Sequence, residues 1–175
     1  MLFRQKSRIS SFLLALGLVA VMLPMTGLAE PHVWPAWRAM TAQGEEFSSR
    51  QLDGKVVVMT MWASWCPSCR KQLPVLDALQ EQYQEDSVQV LSFSFDHSEK
   101  IHEDFVTEHE LRFPSIFARK GEGLKVVRML QRGTGSLEAV PTVLIYDKRG
   151  RLTHHLVGFF SRKQLEDLIS PLLDE

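Results

Sequence analysis

Two cysteines separated by two residues stand where a strand pattern gives way to a helix pattern. Cys66 and Cys69 are the only cysteines of the chain. Upstream, residues 55–62 form an almost continuous run of apolar and β-branched side chains, which predicts a strand buried on both faces of a sheet. Downstream, residues 68–83 carry apolar side chains at helical spacing, namely Leu73, Leu76, Leu79 and Tyr83. The pattern predicts an α/β fold with both cysteines at a strand-to-helix junction.

This junction has consequences for the chemistry of the cysteines. Pro67 suits the first position of the helix, because its missing N–H has no intrahelical partner there. Unpaired N–H groups and the positive end of the helix dipole then face the Cys66 sulfur and favour its thiolate. Cys69, one turn later, is expected to be more buried and able to attack a mixed disulfide at Cys66. Trp65 is expected to be exposed beside the sulfur, whereas Trp62 is expected to serve the core.

Two other roles for the cysteine pair are less favoured. A structural disulfide gains little here, because closing a loop of about four residues is worth roughly 2 kcal/mol, against roughly 4.7 kcal/mol for about a hundred residues. A structural zinc site needs four ligands, and the sequence offers no second cysteine pair. The pair is therefore better suited to a disulfide that forms and breaks in a reaction than to a structural disulfide.

The histidines give no sign of a metal site. His154 and His155 alternate along a predicted strand and should point to opposite faces of the sheet. His97, His102 and His109 fall in a polar stretch that is expected to be solvated. We assign none of them a function, and we expect no metal.

The first 29 residues have the pattern of an export signal. A cationic start without acids precedes an apolar run at residues 9–23, and small residues stand at Gly27 and Ala29. This pattern predicts a signal peptide at residues 1–29 and a mature domain at residues 30–175. The alternative is an uncleaved membrane anchor, because residues 9–28 reach the roughly 20 apolar residues that span a bilayer. Both interpretations predict export.

Charge limits the classes of partner. The chain has 20 Lys and Arg residues against 21 Asp and Glu residues, and the domain after residue 29 keeps 17 against 21, a net charge of −4. Binding to nucleic acid through bulk charge needs a basic surplus. We therefore expect no nucleic-acid partner.

Residues 62–74, with the sequence WASWCPSCRKQLP, resemble the active-site segment of the thioredoxin superfamily, and specifically of its exported TlpA/ResA/CcmG-like thiol-disulfide oxidoreductases. Residues 47–55 resemble the lead-in to the first central strand of that group, and residues 140–142 resemble its cis-proline turn. The resemblance covers residues 39–173. It implies a thioredoxin-like fold, with a central mixed sheet flanked by helices, an N-terminal β extension and a central strand-helix insertion.

The remaining patterns fit that order of elements. They predict strands at residues 88–95, 142–146 and 151–157, a short apolar segment at 113–117, helices from Ser98 to about residue 110, at 122–130 and from Ser161, and a loop at 131–139.

The resemblance also implies a function. Cys66 would attack a partner disulfide and Cys69 would resolve the mixed disulfide, with no cofactor beyond this redox-active pair. Pro141 would be the cis-proline facing the dithiol, and Val140 would offer its backbone to an extended substrate segment. The residues between the cysteines, including Ser68, would tune the potential.

The expected setting of this activity is the periplasm. We expect a monomeric reductase that receives electrons from a membrane thiol shuttle and acts on disulfides of exported proteins, with apocytochrome c among the candidate substrates. The alternatives are a thiol oxidase or isomerase of the same fold, a thiol peroxidase, and a copper-handling thioredoxin-fold protein.

Two positions depart from the pattern of the family. Many thioredoxins carry a buried acid where this chain has Thr60, and the ResA-like group often has Glu where this chain has Gln72. Such an acid can act as the general base for the buried thiol. Without it, proton removal from Cys69 falls to water, a partner or Asp96, although Asp96 is expected to be a turn or helix-entry residue.

Overall fold

The computed structural model describes residues 34–174, apart from the side chains of residues 84–86. The expected signal peptide at residues 1–29 lies outside the described residues. The strands are β1 (Arg38–Met40), β2 (Glu46–Ser48), β3 (Val56–Trp62), β4 (Val88–Ser94), β5 (Ser115–Phe117), β6 (Thr142–Tyr146) and β7 (Leu152–Val157). The helices are α1 (Pro67–Ser87), α2 (Glu99–Glu108), α3 (Gly121–Thr134) and α4 (Arg162–Leu173), with a 3₁₀ turn at Ser49–Leu52.

The central sheet has the strand order β5-β4-β3-β6-β7. Strand β3 pairs in parallel with β4, and β4 pairs in parallel with β5, whereas β6 and β7 are antiparallel to their neighbours. Strands β1 and β2 form a separate antiparallel pair. The predicted mixed sheet flanked by helices is therefore confirmed, with β1 and β2 as the N-terminal extension and α2 and β5 as the central insertion.

Strand β3 is buried on both faces and divides the core in two. Val56, Val58 and Trp62 pack on the side of α1, α2 and α4. Val57 and Met59 alternate with them and pack on the side of α3 and the N-terminal strands. Because side chains alternate across a strand, one continuous apolar run supplies both layers. This central position fixes the carboxyl end of β3, from which the cysteines follow.

Most predicted element ends agree with the structure. The cap serines hold their helices, since the Ser98 side chain accepts a hydrogen bond from the Ile101 N–H and the Ser161 side chain accepts one from the Gln164 N–H. The predicted loop at residues 131–139 is wrong in its first part, because α3 continues to Thr134. The helix ends at Gly135, whose backbone has a φ of 81°, a conformation that favours glycine.

The prediction that His102 is solvated is wrong. Its side chain is only 1% exposed, because it shares the inner face of α2 with Phe105 and Val106. Its Nε2 lies 2.7 Å from the Ser115 hydroxyl, and its ring meets Trp62 edge-on. Burial lowers the pKa of His102 to about 4, against the opposing charges of Asp96 and Glu99.

Within residues 34–174, no helix has both the length and the hydropathy of a membrane span.

Candidate active site

Cys66 is the residue that caps the start of α1. Its N–H donates to the Ala63 carbonyl at 3.1 Å, and its own carbonyl accepts the first helical bond from the Arg70 N–H, also at 3.1 Å. Pro67 occupies the first helical position, as predicted. The polypeptide therefore turns sharply after β3 and presents the Cys66 side chain at the amino end of the helix.

Cys66 and Cys69 are joined in a disulfide, with their Cα atoms 5.2 Å apart. Cys66 keeps 5% exposure, whereas Cys69 is fully buried. The difference agrees with the expectation that Cys69 is the more buried of the two. A partner can therefore approach the pair only from the Cys66 side.

The Cys66 sulfur occupies the place of an N-cap oxygen. It accepts the Cys69 N–H at 3.2 Å, and the Ser68 hydroxyl lies 3.3 Å away. N-cap side chains satisfy such free N–H groups, and negative charge is favoured at this end of a helix. The arrangement stabilises a thiolate at Cys66 whenever the disulfide is opened.

The loop before β6 closes the site on the other side. The Val140–Pro141 peptide bond is cis, and the Val140 carbonyl oxygen lies 3.7 Å from the Cys66 sulfur. The Pro141 carbonyl accepts the Gly158 N–H at 2.8 Å, which ties the loop to the end of β7. Pairing of Thr142 with Met61 sets β6 beside β3, so this loop meets the disulfide at the carboxyl end of β3.

Thr60 and Gln72 have structural contacts in place of ionisable groups. The Thr60 hydroxyl donates to the Thr142 carbonyl at 3.2 Å. The Gln72 Oε1 accepts the Phe160 N–H at 2.8 Å, while its buried Nε2 has no partner in the described residues. Gln72 thus links α1 to the segment after β7. Neither side chain can take a proton from Cys69 as a carboxylate would.

Asp96 is not a helix-entry residue, because Ser98 caps α2. Its fully buried carboxylate accepts hydrogen bonds from the Ser64 N–H (2.9 Å), the Ser64 hydroxyl (2.7 Å) and the Ser94 hydroxyl (2.8 Å). These bonds fix the turn that leads into Cys66. One sequence signal could have predicted this contact. Two buried strands joined by a helix are typical of parallel pairing, which brings the residues after each strand to the same edge of the sheet.

The two tryptophans lie as predicted. Trp62 is fully buried, whereas Trp65 is 54% exposed and stacks on His97 with ring centres 6.2 Å apart. Trp65 and Val140 also line a groove of about 510 Å³, which the sequence did not predict. Exposed apolar surface is thus available directly beside the disulfide.

Among the described residues, no cluster of three or more His, Cys, Asp or Glu side chains could hold a metal ion.

Comparison with known proteins shows which proteins this chain is similar to. The sequence profile of the AhpC/TSA family matches residues 32–155. A thiol-disulfide oxidoreductase ResA of Bacillus cereus is 28% identical over 130 residues, which is 74% of this chain and 70% of that protein. The sporulation thiol-disulfide oxidoreductase A of Bacillus subtilis is 27% identical over 168 residues, covering 93% of this chain and 96% of that protein.

A solved structure supports the fold. A thiol:disulfide interchange protein of the thioredoxin family from Chlorobium tepidum superposes with a TM-score of 0.71 at 21% identity. The match covers 79% of this chain and 94% of that one.

Proposed function

Because the chain belongs to the AhpC/TSA family of thioredoxin-fold proteins, we propose that it is a thiol-disulfide oxidoreductase whose reaction centre is the Cys66–Cys69 pair. The observation that carries the proposal is the Cys66 sulfur itself. It caps α1, is bonded to the buried sulfur of Cys69, and faces the cis Val140–Pro141 loop. The relatives named as thiol-disulfide oxidoreductases support the same activity.

The reduced protein would act in two exchanges. The Cys66 thiolate attacks one sulfur of a partner disulfide, forming a mixed disulfide and releasing the other partner sulfur as a thiolate. Cys69 then loses its proton and attacks the Cys66 sulfur, and the second partner sulfur leaves and takes up a proton. Two electrons pass from the protein dithiol to the partner, which becomes a dithiol. The Cys66–Cys69 disulfide of the structure is the oxidised product of this cycle.

The direction and place of the reaction are part of the proposal. We assign the protein to the reduction of disulfides in exported, periplasmic proteins, with electrons returned to the pair by a membrane thiol shuttle. The basic and apolar pattern of residues 1–29 supports export. Apocytochrome c remains among the candidate substrates of this reductase.

A thiol peroxidase is less well supported. That chemistry needs one peroxidatic cysteine with a Thr or Ser and an Arg arranged around it. Ser68 lies 3.3 Å from the Cys66 sulfur, but the nearby Arg70 guanidinium lies over the Phe105 ring instead. Cys66 is also already partnered by Cys69, which suits dithiol exchange.

Insulin reduction by dithiothreitol tests the activity. We expect the wild-type protein to accelerate precipitation of the reduced insulin chains, and Cys66→Ala to abolish that acceleration. In a separate reaction without dithiothreitol, pre-reduced Cys69→Ala mixed with insulin should accumulate a mixed disulfide between Cys66 and insulin, visible as a mass increase that later addition of dithiothreitol removes. Arg149→Ala, at the far β6–β7 turn, serves as the matched control and should keep the wild-type rate. Equal rates for the wild type and Cys66→Ala would reject the proposal.

A further inference from the structure

The groove beside the disulfide is lined by both apolar and charged side chains. Trp65 precedes Cys66 in the chain, and the Val140 carbonyl oxygen lies 3.7 Å from the Cys66 sulfur, while Phe95 and Leu124 add further apolar lining. The groove holds about 510 Å³, enough for a few residues of an extended chain. Because the groove lies beside Cys66, a polypeptide whose disulfide sulfur meets Cys66 would contact the groove with its neighbouring residues.

Two arginines line this groove. Arg119 comes from the segment before α3, and Arg128 comes from α3 itself. The Arg119 guanidinium donates a hydrogen bond to the Phe95 carbonyl at 3.2 Å, which holds it against the groove. Within the described residues, neither guanidinium forms an ion pair with an acidic side chain. Among the residues that line this groove, Glu138 carries the single carboxylate.

Two neighbouring lysines have acidic partners. Lys120 pairs with Glu99 at 2.6 Å, and Lys125 pairs with Glu122 on α3. The two groove arginines differ from these lysines, because no acidic side chain of the described residues offsets their charge. They bring positive charge to the groove of a domain whose net charge after residue 29 is −4.

We propose that this groove selects disulfide substrates with an acidic side chain near the reacting cysteine. Arg119 and Arg128 bind that acidic side chain, and apolar side chains of the substrate pack on the apolar lining of the groove. The inference rests on the proposed function, since it names the kind of polypeptide that the Cys66–Cys69 pair meets. Guanidinium groups bind carboxylates through paired, charge-assisted hydrogen bonds. Such complementarity acts mainly on which partner is captured and how fast it arrives.

The test uses three synthetic peptides that differ in one charge. Each carries a single cysteine as a mixed disulfide with a neutral 2-thiopyridyl group, and the residues flanking the cysteine are glutamate, glutamine or lysine. Attack by reduced protein releases 2-thiopyridone, which is followed by its absorbance. In this single turnover of pre-reduced protein, we expect the second-order rate constant of the wild type to be about three- to tenfold higher for the glutamate peptide than for the glutamine peptide, the range of one to two partly exposed ion pairs. The lysine peptide should be the slowest.

Variants locate the preference in the groove. Arg128→Gln should reduce the ratio of the rate with the glutamate peptide to the rate with the glutamine peptide. Arg128→Glu should reverse the order of the peptides, so that the lysine peptide reacts faster than the glutamate peptide. The ratio for one variant is independent of any change in thiol reactivity, because the same Cys66 attacks both peptides. Arg132→Gln, one turn further along α3 and outside the groove, is the matched control and should keep the wild-type ratio. The preference should also fade between about 10 mM and about 1 M salt, since the screening length falls from roughly 30 Å to roughly 3 Å.

The outcomes separate this inference from the proposed function. Rapid, Cys66-dependent release from all three peptides at equal rates would overturn the acidic preference and leave the oxidoreductase intact. A glutamate preference that survives Arg119→Gln together with Arg128→Glu would overturn the assignment to this groove. No Cys66-dependent release from any peptide would overturn both.

Discussion

At the scale of single residues, the Asp96 carboxylate holds the turn from which Cys66 projects. Both of its oxygens are engaged, one by the Ser64 N–H and hydroxyl and the other by the Ser94 hydroxyl. A carboxylate that receives three such hydrogen bonds serves the geometry of the turn. We therefore treat Asp96 as a positioning residue and do not assign it the proton of Cys69.

Replacing Asp96 with asparagine separates positioning from proton transfer. In Asp96→Asn, one carboxylate oxygen becomes an NH2 group, which cannot accept the hydrogen bond that Ser94 or Ser64 donates to that position. We expect the free energy of unfolding of the oxidised protein to fall by about 1–3 kcal/mol, the cost of an unsatisfied buried hydrogen-bonding group. The pKa values of the Cys66 and Cys69 thiols in the reduced protein, followed by the rise in thiolate absorbance with pH, should stay within about one unit of the wild type.

Ser64→Ala is the matched variant, because it removes one hydroxyl donor and keeps the backbone N–H. Its loss of stability should be smaller than that of Asp96→Asn. A shift of the Cys69 pKa by more than about one unit in Asp96→Asn alone would place Asp96 in the proton-transfer chemistry.

At the scale of elements, α2 is fastened to the sheet through a buried histidine. His102 lies against Trp62 of β3 and hydrogen-bonds Ser115 of β5, and Ser115 in turn accepts the Ser92 hydroxyl at 2.7 Å. The chain of polar contacts joins α2, β4 and β5 inside an apolar layer. The imidazole is neutral at neutral pH, because burial lowers the pKa of His102 to about 4.

This burial makes the stability of the fold depend on pH. The unfolded chain binds a proton at His102 near pH 6.5, whereas the folded chain binds it only near pH 4. The unfolded state therefore holds more protons between these values, and the stability contributed by neutral His102 is lost as the pH falls from 6.5 towards 4. Between about pH 7.5 and about pH 5, the loss from this group should be about 2 kcal/mol.

Urea unfolding of the wild type and His102→Gln at the two pH values measures this effect. The variant keeps an amide that can hydrogen-bond Ser115, so its stability should change less between the two pH values. The exposed His155 offers the control, since His155→Gln should follow the wild type. The account of His102 fails if His102→Gln and the wild type lose the same stability on acidification.

The elements were largely predictable from local patterns, whereas the contacts between them were not. Strand β3, the start of α1 at Pro67 and the serine caps all follow from residues close in sequence. The bond from Ser64 to Asp96 joins residues 32 positions apart, and burial of His102 depends on β5. A polar histidine in a polar stretch gives no local sign that its helix face will be covered.

At the scale of the whole molecule, one sheet carries a two-sided core and ends in the candidate site. The carboxyl end of β3, the amino end of α1 and the loop before β6 meet at the Cys66–Cys69 disulfide. The cysteine motif carries a strong local signal for this meeting point, whereas the place of Val140 and Pro141 followed only from the resemblance to the thioredoxin superfamily. The groove lined by Arg119 and Arg128 was not predicted, because its lining residues come from segments that only the fold brings together.

The central claim is that Cys66 and Cys69 form a reversible redox pair that donates electrons, and its reduction potential tests this most directly. The protein is equilibrated with glutathione buffers of graded ratio, and the thiols are trapped with a reagent that adds mass to each free cysteine. Cys66→Ser supplies the baseline. We expect a two-electron titration with a potential at or below about −200 mV, as suits a reductase. A potential near about −120 mV, the range of a strong oxidant, or no titration of the pair at all, would contradict the account.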